Sequence, residues 1–404
     1  MAHDRIYLDY ASLTPIDPEV LKEMEIYSSI EFANPSSIYK EGIAAREALK
    51  KARTDVAGFL QAHVDEITFT SGGTEANNLA IIGSVEALHE QGVAYADMHV
   101  LTSSIEHSSV RECFNYLNGK DVKIDVVGVD EHGVVLLDEL KKKIRPSTVI
   151  ISVMMVNNEI GSIQPIREIA KIIRQARNAK THASPFDFQS EVMYPLFHTD
   201  AAQAALYQGF RVEKLGVDLL TLDGSKMYGP RAVGVLYHKK NITLSPVLRG
   251  GGQERGLRSG TEPVAAIMGF AKAIHLIDHE KESLHILELR KMFIRGLQDL
   301  RKGILVNGSG TLESALKDPT QSPHIVNISI PRIDNEFFLL QLDAQGVACS
   351  TKSSCLRDED ESYVLKAIGV SSKTSLRFSF GRWTTTEEVT AATKQIGQLL
   401  AAQR

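Results

Sequence analysis

Short, continuously apolar runs alternate with amphipathic stretches along most of this 404-residue chain. The runs are 66–70 (EITFT), 98–102 (MHVLT), 122–127 (VKIDVV), 148–154 (TVIISVM), 219–222 (LLTL) and 233–237 (VGVLY). Several are apolar throughout rather than in alternation, which marks strands covered on both faces. Between them, stretches such as 74–90 and 166–179 carry a helical period. Strand–helix alternation of this kind predicts an α/β fold built on a mainly parallel sheet with right-handed crossovers. The 29 glycines and the 6% aromatic content suit the many tight turns such a fold needs.

The pattern changes near residue 275. A charged amphipathic stretch over 275–303 reads as one or two helices leaving the large domain, followed by strands at 325–330 and 375–380 and a final helical segment. We read residues 15–270 as a large α/β domain. Residues 271–404, joined by 1–14, form a smaller α+β domain. The segment 179–195 lacks periodicity and reads as a surface loop.

Charge and cysteine content exclude several functions. A net charge of −5 offers no basic field for nucleic acid or an anionic membrane. The three cysteines, Cys113, Cys349 and Cys355, form no C-x-x-C pair, so neither a disulfide framework nor a structural zinc site is expected. Free thiols fit a reducing cytoplasm. The N-terminus has no signal-peptide pattern and no apolar run approaches the ~20 residues that span a bilayer. A cytoplasmic protein is expected.

Candidate chemistry lies at the strand ends. In DGSKMYGP, Lys226 follows the buried run LLTL. Desolvation there lowers an amine's pKa and readies it for Schiff-base chemistry; a solvated loop lysine is the alternative. Asp200, in FHTDAAQAALY, could protonate a pyridine nitrogen, with Gln203 beside it; a helix N-cap is the plainer role. TSGGTEANNLAI turns on glycines into a helix, so Gly73 and Thr74 could cradle a phosphate, or Thr74 could simply cap the helix. His107 could stack on an aromatic ring and move protons, or be a plain loop histidine. Asn158 could bind a cofactor hydroxyl or serve as a turn residue. Cys355 sits in the polar segment ACSTKSSCLRDEDESYVL, where Lys352 and Arg357 favour a thiolate and the acids at 358–361 oppose it. Cys349 reads as buried and Cys113 as structural. Arg377, in SLRFSFGRW, could clamp a carboxylate or be solvated on its strand. Asn34 could assist from an N-terminal loop or be a turn asparagine.

The order of these segments carries more than any one of them. LDYASLTP, NPSSIY, TSGGTEANNLAI, EHSSV, VNNEIGSIQPI, HTDAAQA, GSKMYGP, GGGQERGLRSGTEP, the cysteine loop, YVLKAIG and LRFSFGRWTT together resemble the cysteine desulfurases, from about Tyr7 to past Thr384. The resemblance implies the type I fold of pyridoxal 5'-phosphate enzymes, with a seven-stranded, mainly parallel sheet. It implies Lys226 as the Schiff-base lysine, Asp200 as the partner of the ring nitrogen and His107 as the stacking acid–base. Asn158 and Gln203 would contact the ring hydroxyl and its surroundings, and Gly73, Thr74 and Ser225 would lie at the cofactor. Thr261 would reach the cofactor phosphate of the second subunit in a homodimer. Arg377 and Asn34 would hold the carboxylate of L-cysteine. Cys355 would carry a persulfide to an acceptor protein, an iron–sulfur scaffold or a carrier for transfer-RNA thiolation, as alanine leaves.

Three departures stand out. The family commonly has a serine and a histidine shortly before its lysine, where this chain has Asp223 and Ser225. A carboxylate facing a phosphate costs about 1 kcal/mol per unit charge product at about 4 Å even in water, so Asp223 either turns away or weakens cofactor binding. Lys352 stands at a usual glycine, before an acidic run in a slightly shortened loop. Residues 179–195 look inserted. The alternatives are a selenocysteine lyase or another fold-type-I enzyme, and a degenerate homologue acting as a binding scaffold.

Overall fold

The apolar runs become neighbouring strands of one sheet. A computed structural model describes residues 5–179, 193–209, 211–300, 303–351 and 361–402. Its strands are β1 (Ile6–Tyr7), β2 (Ile67–Thr70), β3 (His99–Ser103), β4 (Lys123–Val127), β5 (Thr148–Ser152), β6 (Leu196–Asp200), β7 (Leu219–Asp223), β8 (Gly234–His238), β9 (Leu305–Val306), β10 (Gly310–Thr311), β11 (Ile325–Ser329), β12 (Val347–Ala348) and β13 (Ser375–Ser379). The α-helices are α1 (Pro18–Glu25), α2 (Lys40–Leu60), α3 (Gly73–Glu90), α4 (Ser108–Asn118), α5 (Leu137–Lys143), α6 (Ile166–Asn178), α7 (Val212–Leu215), α8 (Val264–His275), α9 (His279–Gln298), α10 (Leu312–Ala315), α11 (Asn335–Ala344), α12 (Tyr363–Ala367) and α13 (Thr386–Ala402).

Among the described residues seven strands form the large sheet in the order β2-β8-β7-β6-β5-β3-β4. Strands β3 to β7 pair in parallel, while β8 runs antiparallel to β2 and β7. Every residue of β3, β5, β6 and β8 is buried, as continuous apolar runs require. The edge strand β4 instead exposes Lys123 and Val126, and an edge lysine discourages pairing with a further chain. His198 is fully buried and ties three strands together: Nδ1 bonds Ser152 Oγ at 2.8 Å and Nε2 bonds Thr221 Oγ1 at 3.1 Å. Burial lowers its pKa to about 3, so the ring is neutral.

A second sheet, β10-β9-β11-β13, is antiparallel, and β1 pairs in parallel with β12. The first strand of the chain thus joins its C-terminal part. The stretch over 275–303 resolves into α9, whose N-cap Asp278 accepts from Lys281 N at 3.0 Å. Phe293 on α9 packs against Phe378 and Phe380 with ring centroids 4.9 and 5.5 Å apart. The run at 148–154 ends as a strand at Ser152, where the chain turns toward Asn157 and Asn158. No helix among the described residues is long and apolar enough to cross a membrane.

The parallel strands all end at one edge of the large sheet. There β6 delivers Asp200, β7 delivers Asp223 and the turn to Lys226, and the loops after β3 and β5 deliver His107 and Asn158. Clefts at the carboxyl ends of parallel strands are where α/β folds bind ligands.

Candidate active site

A cavity of about 210 Å³ opens at this edge, lined by Ala11, Ser12, Gly73, Thr74, Asn77, His107, Ser109, Asn158, Asp200, Gln203, Asp223, Lys226 and Arg377 among others. A wider groove of about 680 Å³ shares Thr74, His107 and Ser109 with it and runs out along α4 to Lys120. The lysine and the carboxylate that the sequence paired therefore share one cavity. Lys226 closes the 3-10 turn Gly224–Lys226 that follows β7, and its Nζ donates to the carbonyl of Ser12.

Asp200 is 7% exposed and is held on both oxygens. Oδ1 accepts from Ala202 N at 3.0 Å, and Oδ2 accepts from Asn77 Nδ2 at 2.8 Å. The same Asn77 amide donates to Ser109 Oγ at 2.8 Å, and Ser109 Oγ lies 2.8 Å from His107 Nδ1. Ser109 N, which can only donate, also points at His107 Nδ1 from 3.2 Å. Nδ1 is thus an acceptor, and the neutral ring carries its proton on Nε2. His107 at once caps α4 and joins a chain that runs through Ser109 and Asn77 to Asp200.

Gln203 is pinned at both ends: Nε2 donates to Ala11 O at 2.9 Å, and Oε1 meets His324 Nε2 at 3.0 Å. His324 is buried, stacks on Tyr207 and has its pKa lowered to about 3 by burial first and the nearby Arg377 second, so its Nε2 donates from a neutral ring. Beneath His107, Glu106 is 2% exposed, and burial raises its pKa to about 8, with Asp200 adding to the shift.

At the other end of the cavity α3 begins. Gly72 has φ +145°, a conformation open to glycine, and it turns the chain so that the first amides of α3 face the cleft. One of them is occupied. Asp223 Oδ2 accepts from Gly73 N at 3.1 Å, while Oδ1 accepts from Ser225 N at 2.8 Å and Ser225 Oγ at 2.7 Å. Asp223 does not turn away, and Ser225 serves it rather than facing the cavity.

Arg377 is 1% exposed and lines the cavity, with its charge already paired. It donates to Asp9 Oδ1 at 2.8 Å, Ser12 Oγ at 2.7 Å and Asn158 O at 2.8 Å. Its Nε has no partner among the described residues. Asn34 and Thr261 lie outside the cleft, together on a separate surface depression with Tyr27, Phe32 and Tyr39. Cys355, Lys352, Arg357 and the acidic residues 358–360 fall outside the described residues, as does most of 179–195. Cys113 is buried, and burial raises its thiol to about 12. Cys349 is only partly covered at its surface, yet its thiol also sits well above the usual range because burial raises it.

The donor set fits pyridoxal phosphate. An amine, a carboxylate and an imidazole converge on one cavity, a helix N-terminus faces it, and the carboxylate is anchored so that an oxygen can meet a ring N–H. Asn77, Ser109, Asp9, Ser12 and His324 were not singled out from sequence. Asn77 stands four residues after Gly73, one helical turn on, and that spacing was the signal for it. His324 and Asp9 reach the site only through tertiary packing.

Residues 6–391 match the aminotransferase class-V family. The chain is 39% identical over 390 residues to "Cysteine desulfurase IscS" of Dictyoglomus turgidum, covering 95% of this chain and 91% of that one. It is 38% identical to the protein of the same name from Methanosarcina thermophila, covering 99% and 93%. Among solved structures, a "NifS-like protein" superposes with a TM-score of 0.86 at 32% identity over 98% of this chain and all of that one. "SspA in complex with cysteine" gives 0.77 at 30% identity over 94% and 99%. A cleft built from Lys226, Asp200 and His107, on a fold shared end to end with these proteins, makes this chain an enzyme of the class-V aminotransferase family, homologous to its cysteine desulfurases.

Proposed function

We propose that the enzyme is a pyridoxal-phosphate-dependent cysteine desulfurase that converts L-cysteine to L-alanine and leaves a persulfide on Cys355. The observation that carries this reading is the convergence of Lys226, Asp200 and His107 on one cavity in a chain of this family. When bound, pyridoxal phosphate supplies an electron sink that draws charge from the substrate α-carbon.

The residues divide the work by position. Lys226 Nζ would be the amine that holds the cofactor and moves protons at the substrate carbon. Asp200, oriented by Asn77 and Ala202 N, keeps a proton on the ring nitrogen. His107 would stack on the ring and move protons there. Gln203 and Asn158 lie toward the ring hydroxyl. Gly73 and Thr74 would bound the phosphate end, with Ser225 behind them holding Asp223. Arg377, fixed by Asp9 and Ser12, would supply the positive charge for the substrate carboxylate. Cys355 attacks the substrate sulfur, so a carbon–sulfur bond breaks and a sulfur–sulfur bond forms.

On this reading the enzyme is a cytoplasmic homodimer. Thr261 serves the cofactor phosphate of the other subunit, and Asn34, beside it, acts across the same interface. Residues 15–270 form the cofactor-binding domain, and 1–14 with 271–404 the smaller one, α8 running across the join. The persulfide passes to an acceptor protein of iron–sulfur assembly or transfer-RNA thiolation. The test is alanine release from L-cysteine by the wild type and Cys355→Ala, with visible absorbance of Lys226→Ala as the cofactor control. Loss of alanine in Cys355→Ala and of the visible band in Lys226→Ala are expected. Alanine formed by Cys355→Ala at the wild-type rate would refute the role of the thiol.

A further inference from the structure

The amides at the start of α3 are the donors that an anionic ligand seated in this cleft would use. In this chain a side chain already uses one of them, Gly73 N. Asp223 Oδ2 accepts from Gly73 N at 3.1 Å and stands 3.1 Å from where a Cβ on Gly73 would lie. Its other oxygen is held by Ser225 N and Ser225 Oγ. One carboxylate thus takes the first α3 amide at this end of the cavity, three residues from Lys226, and bridges β7 to the N-terminus of α3.

We propose that Asp223 is an internal anion that the phosphate of the cofactor must displace, so that it sets how tightly and how selectively this enzyme holds the phosphorylated cofactor. The inference rests on the cofactor reading above. Its physical basis is competition. Two anions cannot share the Gly73 N–H, and repulsion between a carboxylate and a phosphate dianion at contact is strong in a half-buried cleft. Displacement requires the Asp223 carboxylate to rotate out, releasing the Gly73 amide to the incoming phosphate. With no phosphate in place, the same carboxylate satisfies those donors and ties two elements of the fold together, so it stabilises the cofactor-free chain. Unphosphorylated pyridoxal has no group for this end of the cavity and does not need the exchange. The result is an enzyme that discriminates weakly between pyridoxal phosphate and pyridoxal.

The experiment titrates the full-length chain, freed of cofactor, with pyridoxal phosphate and with pyridoxal, reading the visible band that requires Lys226. Wild type, Asp223→Ser and Asp223→Asn are compared, and thermal melts are taken with and without cofactor. Asp223→Ser is expected to bind pyridoxal phosphate at least tenfold more tightly, about 1.4 kcal/mol, with pyridoxal affinity unchanged. Its cofactor-free form should melt below the wild type, and its shift on saturation should be larger. Asp223→Asn removes the charge at constant size, so it should also gain affinity for pyridoxal phosphate. Equal or weaker binding of pyridoxal phosphate by both variants would overturn the proposal while leaving the cofactor reading intact. No visible band in any of the three proteins would overturn the cofactor reading and the proposal with it.

Discussion

Glu106 is expected to make the stability of this enzyme fall as pH rises, and Glu106→Gln should abolish that dependence. The carboxyl is 2% exposed. Oε1 accepts from Ser103 Oγ and from Met154 N, and Oε2 has no partner among the described residues. Among the described residues no cation compensates the burial, and the pKa rises from 4.5 to about 8. The folded chain keeps this proton between those two values, where the unfolded chain has lost it. Stability tied to Glu106 is therefore complete below pH 4.5, declines as pH rises and is gone above pH 8. At about 1.4 kcal/mol per unit, the change from pH 5 to pH 8 is on the order of 4 kcal/mol. Buried histidines act in the opposite sense. His198 and His324, both lowered to about 3, cost stability as pH falls from 6.5 toward 3, because only the unfolded chain takes up protons there. The wild-type profile alone mixes the two slopes. The difference between Glu106→Gln and wild type cancels the histidines, since glutamine imitates the neutral acid and leaves them in place. Denaturant unfolding at fixed protein concentration from pH 5 to pH 8 measures it. The variant should gain about 4 kcal/mol on the wild type across that window. A difference independent of pH would refute the argument that Glu106 is buried as a neutral acid.

Asn77→Ala removes the amide that joins Asp200 to Ser109. The loss should cost about 1–3 kcal/mol of stability and lower turnover at least tenfold with little change in protein fold. Unchanged turnover would mean that Asp200 is oriented without it. Glu254 is 5% exposed and receives both Arg53 nitrogens, at 2.6 and 2.7 Å, together with Phe69 N at 2.9 Å. Glu254→Ala leaves the partly buried Arg53 guanidinium without its carboxylate and the Phe69 amide unpaired, so a loss of about 3 kcal/mol is expected in denaturant unfolding, and a loss under 1 kcal/mol would show that the pair is solvated.

Much of the architecture could be read locally. Periodicity is a property of neighbouring residues, so the runs at 66–70, 98–102, 122–127, 219–222 and 233–237 each became strands within a residue or two of the expected bounds. Two of the long helices, α2 and α8, were not picked out. α2 follows FANPSSIY with a mixed charged and small-residue pattern, and α8 is apolar on nearly every face, so neither shows a sharp stripe. Lys226, Asp200, His107, Gln203 and Asn158 were legible because each lies at or within six residues of the end of a strand, and in a parallel sheet all such ends meet on one side.

The sequence by itself determined the sheet, the ends of its strands and the family, because these follow from local pattern and from the order of motifs along one chain. Only the tertiary structure decided which charges are spent on one another. Arg377 lies 368 residues from Asp9, Gln203 is 121 from His324, and Asp223 is 150 from the Gly73 amide that it occupies. Hydrogen bonds over such separations have no signature in spacing. They exist because folding brings the ends of separate strands within about 3 Å of each other, and at that range a carboxylate poised for a ligand and one already satisfied by its own backbone differ only in where a side chain points.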